Sequence, residues 1–361
     1  AQRVTTTVDM TLMGDEGHYY NVPVWTPAKP NLYDVQLRLV RNGQILDEVG
    51  SYAAMRDIRI DGQNILLSGM RIYQKLILAQ GYWKDSHLTA PDEEALVRDV
   101  DMIKEMGYNG LRIHQKTEDE RFLYWCDVKG LLVWCEAPSA FMFSDRATDA
   151  FLGQWLDIVR QYYNRPCVIT WTPVNESWGI DKVKTCVPQQ HFTEAVYHAT
   201  KMIDPYRPVI VNDGWVHTIS DIITLHEYES NAVRFLERFV DQHKALNNAV
   251  YTDKRDPAFA DGCTYRGQPV IISEFGGIRL KEEKEEHAWG YGEALERDQL
   301  VEKYIQLCKA MLDNPKICAY CYTQLTDVEQ EQNGLYTYDR QPKFDAKRLY
   351  DIMTRKAAIE D

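Results

Sequence analysis

Two glutamates close short apolar runs: Glu176 in Thr172-Pro173-Val174-Asn175-Glu176, and Glu274 in Ile271-Ile272-Ser273-Glu274-Phe275-Gly276-Gly277. The runs 167–174 and 269–272 are continuously apolar, contain Val and Ile, and are bounded by Pro or Gly, which reads as buried strand. A carboxylate at the end of such a strand is costly to bury without partners, so two in equivalent places suggest a working pair. Cleavage of a glycosidic bond needs such a pair, one carboxyl as proton donor and the other as nucleophile or base. The alternative, that each glutamate merely pairs with a buried arginine, does not account for two equivalent strand ends.

The elements that must position these groups follow from the pattern of the chain. Over roughly Val4 to Ile60, alternation as in Tyr33-Asp34-Val35-Gln36-Leu37-Arg38-Leu39-Val40, a tight turn at Asn42-Gly43 and no helical period predict a small all-β sandwich. Beyond it strands and helices alternate. Strands are expected at Ile65–Tyr73, Gly110–Ile113, Leu131–Cys135, Cys167–Val174, Pro208–Val211, Ile222–Leu225, Pro269–Ile272 and Ile317–Tyr322. Helices are expected from Pro91 to Met106-Gly107, then over 119–129, 150–163, 189–203, 295–312 and 347–356. Eight strand-helix units imply an α/β fold closed into a (β/α)8 barrel, giving a sandwich over residues 1–60 and a barrel over 61–361. In such a barrel Glu176 ends the fourth strand and Glu274 the seventh, on opposite sides of one mouth.

The formal net charge of −13 argues against nucleic acid and against an anionic membrane surface as partners. No apolar run approaches the length of a membrane span, and the first residues carry neither a basic nor an apolar leader segment. The eight cysteines are scattered through apolar patterns, which fits a reducing cytoplasm. Cys318 and Cys321 form a CxxC, but inside a predicted strand, where residues three apart face opposite ways. No HxH, HExxH or phosphate-binding glycine loop occurs, so neither a metal nor an organic cofactor is expected. The mixed run Lys281-Glu282-Glu283-Lys284-Glu285-Glu286-His287 reads as a solvated loop or lid after the seventh strand.

At this point the chain resembles glycoside hydrolase family 2, the family of β-galactosidases, β-glucuronidases and β-mannosidases. Trp25-Thr26-Pro27 with Pro30-Asn31-Leu32-Tyr33 is similar to the family's immunoglobulin-like module. Asp101-Met102-Ile103-Lys104 through Gly107-Tyr108-Asn109-Gly110-Leu111-Arg112, and Tyr124-Trp125-Cys126-Asp127 through Gly130-Leu131-Leu132-Val133-Trp134-Cys135-Glu136, resemble its second and third strands. Thr323-Gln324-Leu325-Thr326-Asp327-Val328-Glu329 with Asn333-Gly334-Leu335 resembles its eighth. The chain departs where the family often shows Gly-Val-Asn-x-His and a Ser-His pair; here stand Gln80-Gly81-Tyr82-Trp83 and Ile113-His114-Gln115-Lys116. The resemblance also implies an additional amino-terminal jelly-roll domain ahead of the immunoglobulin-like module.

What the resemblance implies is a retaining exo-β-glycosidase acting on an oligosaccharide or glycoside, with Glu176 as general acid/base and Glu274 as nucleophile. Mutual repulsion would keep one carboxyl protonated. Asn175 is then the partner of the sugar 2-hydroxyl. Arg112 either holds Glu274 ionised or forms a structural ion pair, and Glu136 is either a hydroxyl ligand or the partner of a basic neighbour. His226 and Tyr228 follow the sixth strand, where the tyrosine either bonds the nucleophile or packs at the rim. Trp178, Trp215 and Trp289 are stacking candidates or core; His114 and Lys116 lie near the rim. A metal-dependent hydrolase is the first rival, and would need ligands the isolated His114, His217 and His226 do not supply. A non-catalytic carbohydrate-binding fragment of a larger glycosidase is the second. Sugar identity is not legible, and self-association into a homo-oligomer stays open.

Overall fold

A computed structural model describes residues 5–8, 22–246, 256–281 and 287–360. The charged run therefore lies mostly outside the described residues. A hairpin comes first: β1 (Tyr33–Arg41) pairs antiparallel with β2 (Gln44–Ala53). Its turn is the expected Asn42-Gly43, both in the left-handed region (φ 51° and 77°), the geometry that matches strand twist. Among the described residues no third strand joins this hairpin, and Leu37, Leu39, Val40, Ile45, Leu46 and Val49 are all exposed. Tyr52 anchors it to the barrel by donating to Asp127 Oδ2 (2.7 Å). The buried Trp25 does the same for the preceding segment, its Nε1 donating to the Asp127 carbonyl (2.8 Å).

A small antiparallel sheet follows, β3 (Ile58–Asp61), β4 (Asn64–Leu67) and β5 (Met70–Arg71). It corrects the expectation of a first barrel strand over 65–73. Ser68 and Gly69 both take positive φ (50° and 81°) and turn the chain back on itself. The first barrel strand is instead β6 (Gln74–Ala79). It is joined by β7 (Gly110–Ile113), β8 (Leu132–Glu136), β9 (Val168–Thr172), β10 (Ile223–Glu227), β11 (Val270–Gly276) and β12 (Ala319–Thr323) in one parallel sheet of order β10-β11-β12-β6-β7-β8-β9.

The fifth position is not a regular strand. Segment 208–214 bridges β9 at Trp171–Val209 and bonds β10 through His226 N to the Gly214 carbonyl (3.3 Å), so it links the two free edges of the sheet. The strands are buried on both faces, as parallel barrel strands must be.

The outer helices are α1 (Glu93–Glu105), α2 (Glu120–Lys129), α3 (Asp145–Tyr162), α4 (Val187–Ile203), α5 (Ala232–Phe239), α6 (Gln242–Leu246), α7 (Arg297–Leu312) and α8 (Lys347–Thr354). Their ends obey local chemistry. Asp92 caps α1 by accepting from Ala95 N, Glu93 and Glu94 fill its first turn and Lys104 its last. Gly130 ends α2 in the left-handed conformation, packed so closely on Pro27 that a Cβ would lie 2.5 Å from its carbonyl oxygen. Helix α3 starts earlier than expected because Ser144 caps it. No helix among the described residues is long and apolar enough to cross a membrane. All eight cysteines are free, Cys318 and Cys321 buried among them.

Candidate active site

The site is assembled at the carboxyl ends of the barrel strands. Irregularities in the sheet aim its side chains. The β10–β11 register shifts between Leu225 and His226, and the β11–β12 register between Ile272 and Phe275, the interval that holds Glu274. Glu176 and Ser177, just beyond β9, both take positive φ (51° and 60°), a conformation that costs free energy in a non-glycine residue. Two contacts with segment 208–214 hold them there: Glu176 N donates to the Asp213 carbonyl (3.0 Å) and Ser177 N to Asn212 Oδ1 (2.9 Å).

Arg112, on β7, is fully buried and forms the hub. Its guanidinium bonds Glu136 Oε1 through Nε, Glu274 Oε1 (2.9 Å) and Asp213 Oδ2 (2.8 Å) through Nη1, and Asn175 Oδ1 (2.6 Å) through Nη2. Burial opposes its charge, yet Asp213, Glu136 and Glu274 together hold its pKa well above the usual value. Glu136 Oε2 also accepts from Gln115 N (2.8 Å), so both its oxygens are engaged within the protein. Burial raises its carboxyl, but Arg112 and then His114 bring it below the ordinary range.

His226 is the second hub. Nδ1 faces Glu176 Oε1 (2.7 Å), Nε2 faces Asp213 Oδ2 (2.8 Å), and Glu274 Oε1 lies 3.5 Å from Nε2. Burial disfavours the imidazolium, but Glu274, Asp213 and Glu176 outweigh it and lift the pKa to about 10. The effect on Glu176 is the mirror image: burial pushes its carboxyl up, and the His226 hydrogen bond and charge pull it below its usual value. Both shifts favour the proton on His226 over Glu176, whereas mutual repulsion alone would favour a glutamate. Gly214 makes room for the ring, since a Cβ there would lie 2.7 Å from His226 Cε1.

Tyr228 donates to Glu274 Oε2 and stacks on Tyr291 with ring centroids 3.6 Å apart. Trp215 packs edge-on against His226 at 5.3 Å, and its buried Nε1 has no hydrogen-bond partner. His114 lies at the inner edge, its Nδ1 3.6 Å from Glu136 Oε2. Trp178 sits at the outer rim, half exposed, against Phe141. The structure thus brings Glu176, Glu274, Asn175, Arg112, Glu136, His226 and Tyr228 into one network, with His114 and Trp215 on its border and Trp178 outside it. The sequence reading missed Asn212 and Asp213, although a polar pair ending an apolar run, Val211-Asn212-Asp213-Gly214, is the same signal that exposed Glu176.

Ligand atoms of Glu176, His226 and Glu274 lie within 4.8 Å of one another, a grouping able to hold a cation. Both imidazole nitrogens already face carboxylate oxygens, so a cation bound through His226 would have to displace one of these contacts. Cavities of about 590 and 600 Å³ flank the hairpin rather than this cluster, lined by residues such as Tyr52, Arg56 and Tyr163 in one and Leu32, Gly50 and Tyr124 in the other.

Residues 58–355 match the profile of the glycosyl hydrolases family 2 TIM barrel domain, and residues 2–56 match a second glycosyl hydrolases family 2 profile. The chain belongs to glycosyl hydrolase family 2. A β-glucuronidase of Paenibacillus borealis is 22% identical over 366 residues, covering 91% of this chain and 57% of that protein. A β-galactosidase of Vibrio vulnificus is 28% identical over 214 residues, 55% of this chain and 19% of that one. Among solved structures, a β-galacturonidase from Eisenbergiella tayi bound to galacturonate superposes with a TM-score of 0.71 at 18% identity, covering 92% of this chain and 59% of its own. A β-D-glucuronidase of Dictyoglomus thermophilum gives 0.73 at 17% identity, with 93% and 60% covered. This family 2 chain therefore spans well under two thirds of the length of these relatives.

Proposed function

We propose that the protein carrying this chain is a retaining exo-acting β-glycosidase, with Glu274 as nucleophile and Glu176 as acid/base. One observation carries the reading: carboxylate oxygens of Glu176 and Glu274 approach within 4.8 Å. Retaining enzymes hold their two carboxyl groups about 5–5.5 Å apart, whereas inverting ones leave about 6.5–9.5 Å for a water. Arg112 and Tyr228 orient and stabilise the Glu274 carboxylate. Glu176 keeps 29% of its side chain accessible against 6% for Glu274, which suits a group that must meet a departing alcohol.

The proton economy follows from His226. Glu274 attacks the anomeric carbon, and its negative charge is consumed as the glycosyl ester forms. Glu274 is the strongest of the charges that hold the proton on His226. As that charge disappears, the proton moves from Nδ1 to Glu176 and on to the leaving oxygen. In the second half Glu176 takes a proton from water, which attacks the ester and returns Glu274 as carboxylate; with that charge restored, the proton passes from Glu176 back to His226 Nδ1. Asn175, fixed by Arg112, is left to meet the 2-hydroxyl.

The remaining architecture belongs to the same proposal. Residues 1–60 act as an immunoglobulin-like module and 61–361 as the catalytic barrel. A two-stranded ribbon is marginal on its own, and the exposed apolar side chains of β1 and β2 support a larger sandwich around them. The free thiols support a reducing, cytoplasmic setting. The test is hydrolysis of a panel of nitrophenyl β-glycosides by the full-length protein, with a mass-spectrometric search for a glycosyl adduct on Glu274. Turnover abolished in Glu274→Ala is expected. Sugar binding without turnover of any member would instead favour a non-catalytic carbohydrate-binding protein.

A further inference from the structure

We propose that a polar wall made by Gln80, Gln324, Glu331 and Asn333 selects a neutral, hydroxyl-bearing glycoside and rejects a uronide. This rests on the glycosidase reading above and names its substrate class; the relatives' activities include both classes, so likeness does not choose between them. The four side chains form one hydrogen-bonded chain. Gln80 Nε2 donates to Glu331 Oε2 (3.0 Å) and Gln324 Oε1 (2.9 Å), Gln324 Nε2 to Asn333 Oδ1 (2.8 Å), and Asn333 Nδ2 to Glu331 Oε1 (3.1 Å).

Topology puts this wall beside the nucleophile. Gln80 directly follows β6 and Gln324 directly follows β12; in the sheet order β11-β12-β6 the end of β12 neighbours the strand of Glu274, and the end of β6 lies one strand further on. Trp289 and Tyr291 complete the connection. Trp289 N donates to the Gln330 carbonyl (2.8 Å), its ring meets Tyr291 at 5.8 Å, and Tyr291 stacks on the tyrosine that bonds Glu274. Gln324 and Asn333 are buried, while Glu331 remains partly open. Burial lifts the Glu331 carboxyl above its usual range, and the Asn333 and Gln80 bonds offset only part of that.

Both Glu331 oxygens accept from amide N–H donors, of Gln80 and Asn333, the arrangement that suits a carboxylate, and a sugar hydroxyl fits its remaining lone pairs as donor. A uronate carboxylate brings a like charge and no proton. Nearby basic groups already serve other acids: Arg112 holds its carboxylates, Lys116 lies 3.1 Å from Glu118, and Lys343 2.7 Å from Asp327. Among the described residues, Arg279, whose Nη1 donates to the Ala288 carbonyl (3.2 Å), is a group a uronide could recruit.

The experiment compares kcat/KM of the full-length protein for nitrophenyl β-galactoside and β-glucoside with that for β-glucuronide and β-galacturonide. The better neutral substrate is expected to exceed the better uronide by about a hundredfold or more. Glu331→Gln should shrink that ratio by about tenfold or more, whereas a merely structural role would lower both classes alike. Gln80→Leu should lower kcat/KM for the neutral substrate and leave the carboxylate to repel uronides. A wild-type preference for a uronide, lost in Arg279→Gln, would overturn the inference while leaving the glycosidase reading intact. Turnover of neither class would remove that reading and this one with it.

Discussion

Replacing His226 by Gln removes a buried cation that faces Glu176, Asp213 and Glu274, with Arg112 beyond them, Trp215 on its flank and the buried His217 nearby. The lift of the imidazole from 6.5 to about 10 corresponds to roughly 5 kcal/mol of preferential interaction with its charged form. Breaking a buried ion pair from one side costs about 3–5 kcal/mol, so the two scales agree. Because the folded pKa is raised, this stabilisation is complete below about 6.5 and is lost as pH rises to about 10. Guanidinium unfolding followed by tryptophan fluorescence should therefore find His226→Gln less stable by about 3–5 kcal/mol at pH 6, with most of the gap gone near pH 10. A gap that stays constant, or widens with pH, would mean that the imidazole is neutral in the folded protein. The proton route drawn above would then have no source.

Other substitutions probe separate links. Glu176→Gln should reduce kcat by about 10²–10⁴-fold for alkyl glycosides and far less for dinitrophenyl glycosides, since an acid matters least to a good leaving group; equal losses would remove the acid role. Tyr228→Phe deletes the donor to Glu274 Oε2 while keeping the stack on Tyr291, and should lower kcat by about tenfold or more with KM little changed. Gly276→Ala should destabilise the fold by about 3 kcal/mol, read as a lowered denaturation midpoint. Gly276 has φ 83° and its added Cβ would lie 2.3 Å from the ring of Tyr322, which packs edge-on with Phe275 and Tyr304.

Apolar runs stopped by a polar residue were legible because barrel strands are buried on both faces and their carboxyl ends open to the site; β7, β8, β9, β11 and β12 all follow that rule. The first strand was not, because β6 opens with Gln74 and Lys75, which read as polar in isolation. Both are buried and bonded at long range: Gln74 Oε1 accepts from Trp134 Nε1 (2.7 Å), though its Nε2 has no partner, and Lys75 Nζ donates to the Arg355 carbonyl. The apolar stretch ahead of it was mistaken for the strand although Ser68-Gly69 breaks it into a hairpin. Helix α5 was overlooked despite an adequate local signal. Asn231 caps it by accepting from Val233 N and Arg234 N, and Phe235 and Phe239 share its buried face. The fifth barrel position shows the opposite limit. Pro208–Val211 carries the composition of a strand, yet its ladder is reduced to single bridges, and the chain there spends its length on Asn212 and Asp213 instead.

Under the proposed glycosidase function, the electrostatics of the network tie rate to selectivity. Arg112 and protonated His226 face the carboxylates Glu136, Glu176, Asp213 and Glu274, which leaves the pocket with an excess of negative charge before Glu331 is counted. Glycosyl transfer passes through an oxocarbenium-like state, so positive charge develops where this excess is greatest and is stabilised more than the neutral ground state. The same field repels an anionic substrate before it reaches that point. Relieving the repulsion by neutralising Glu331 should therefore cost neutral substrates in kcat as well as in binding. A Glu331→Gln protein that gained uronide turnover at no expense in neutral kcat would show that selectivity and transition-state stabilisation are carried by different charges.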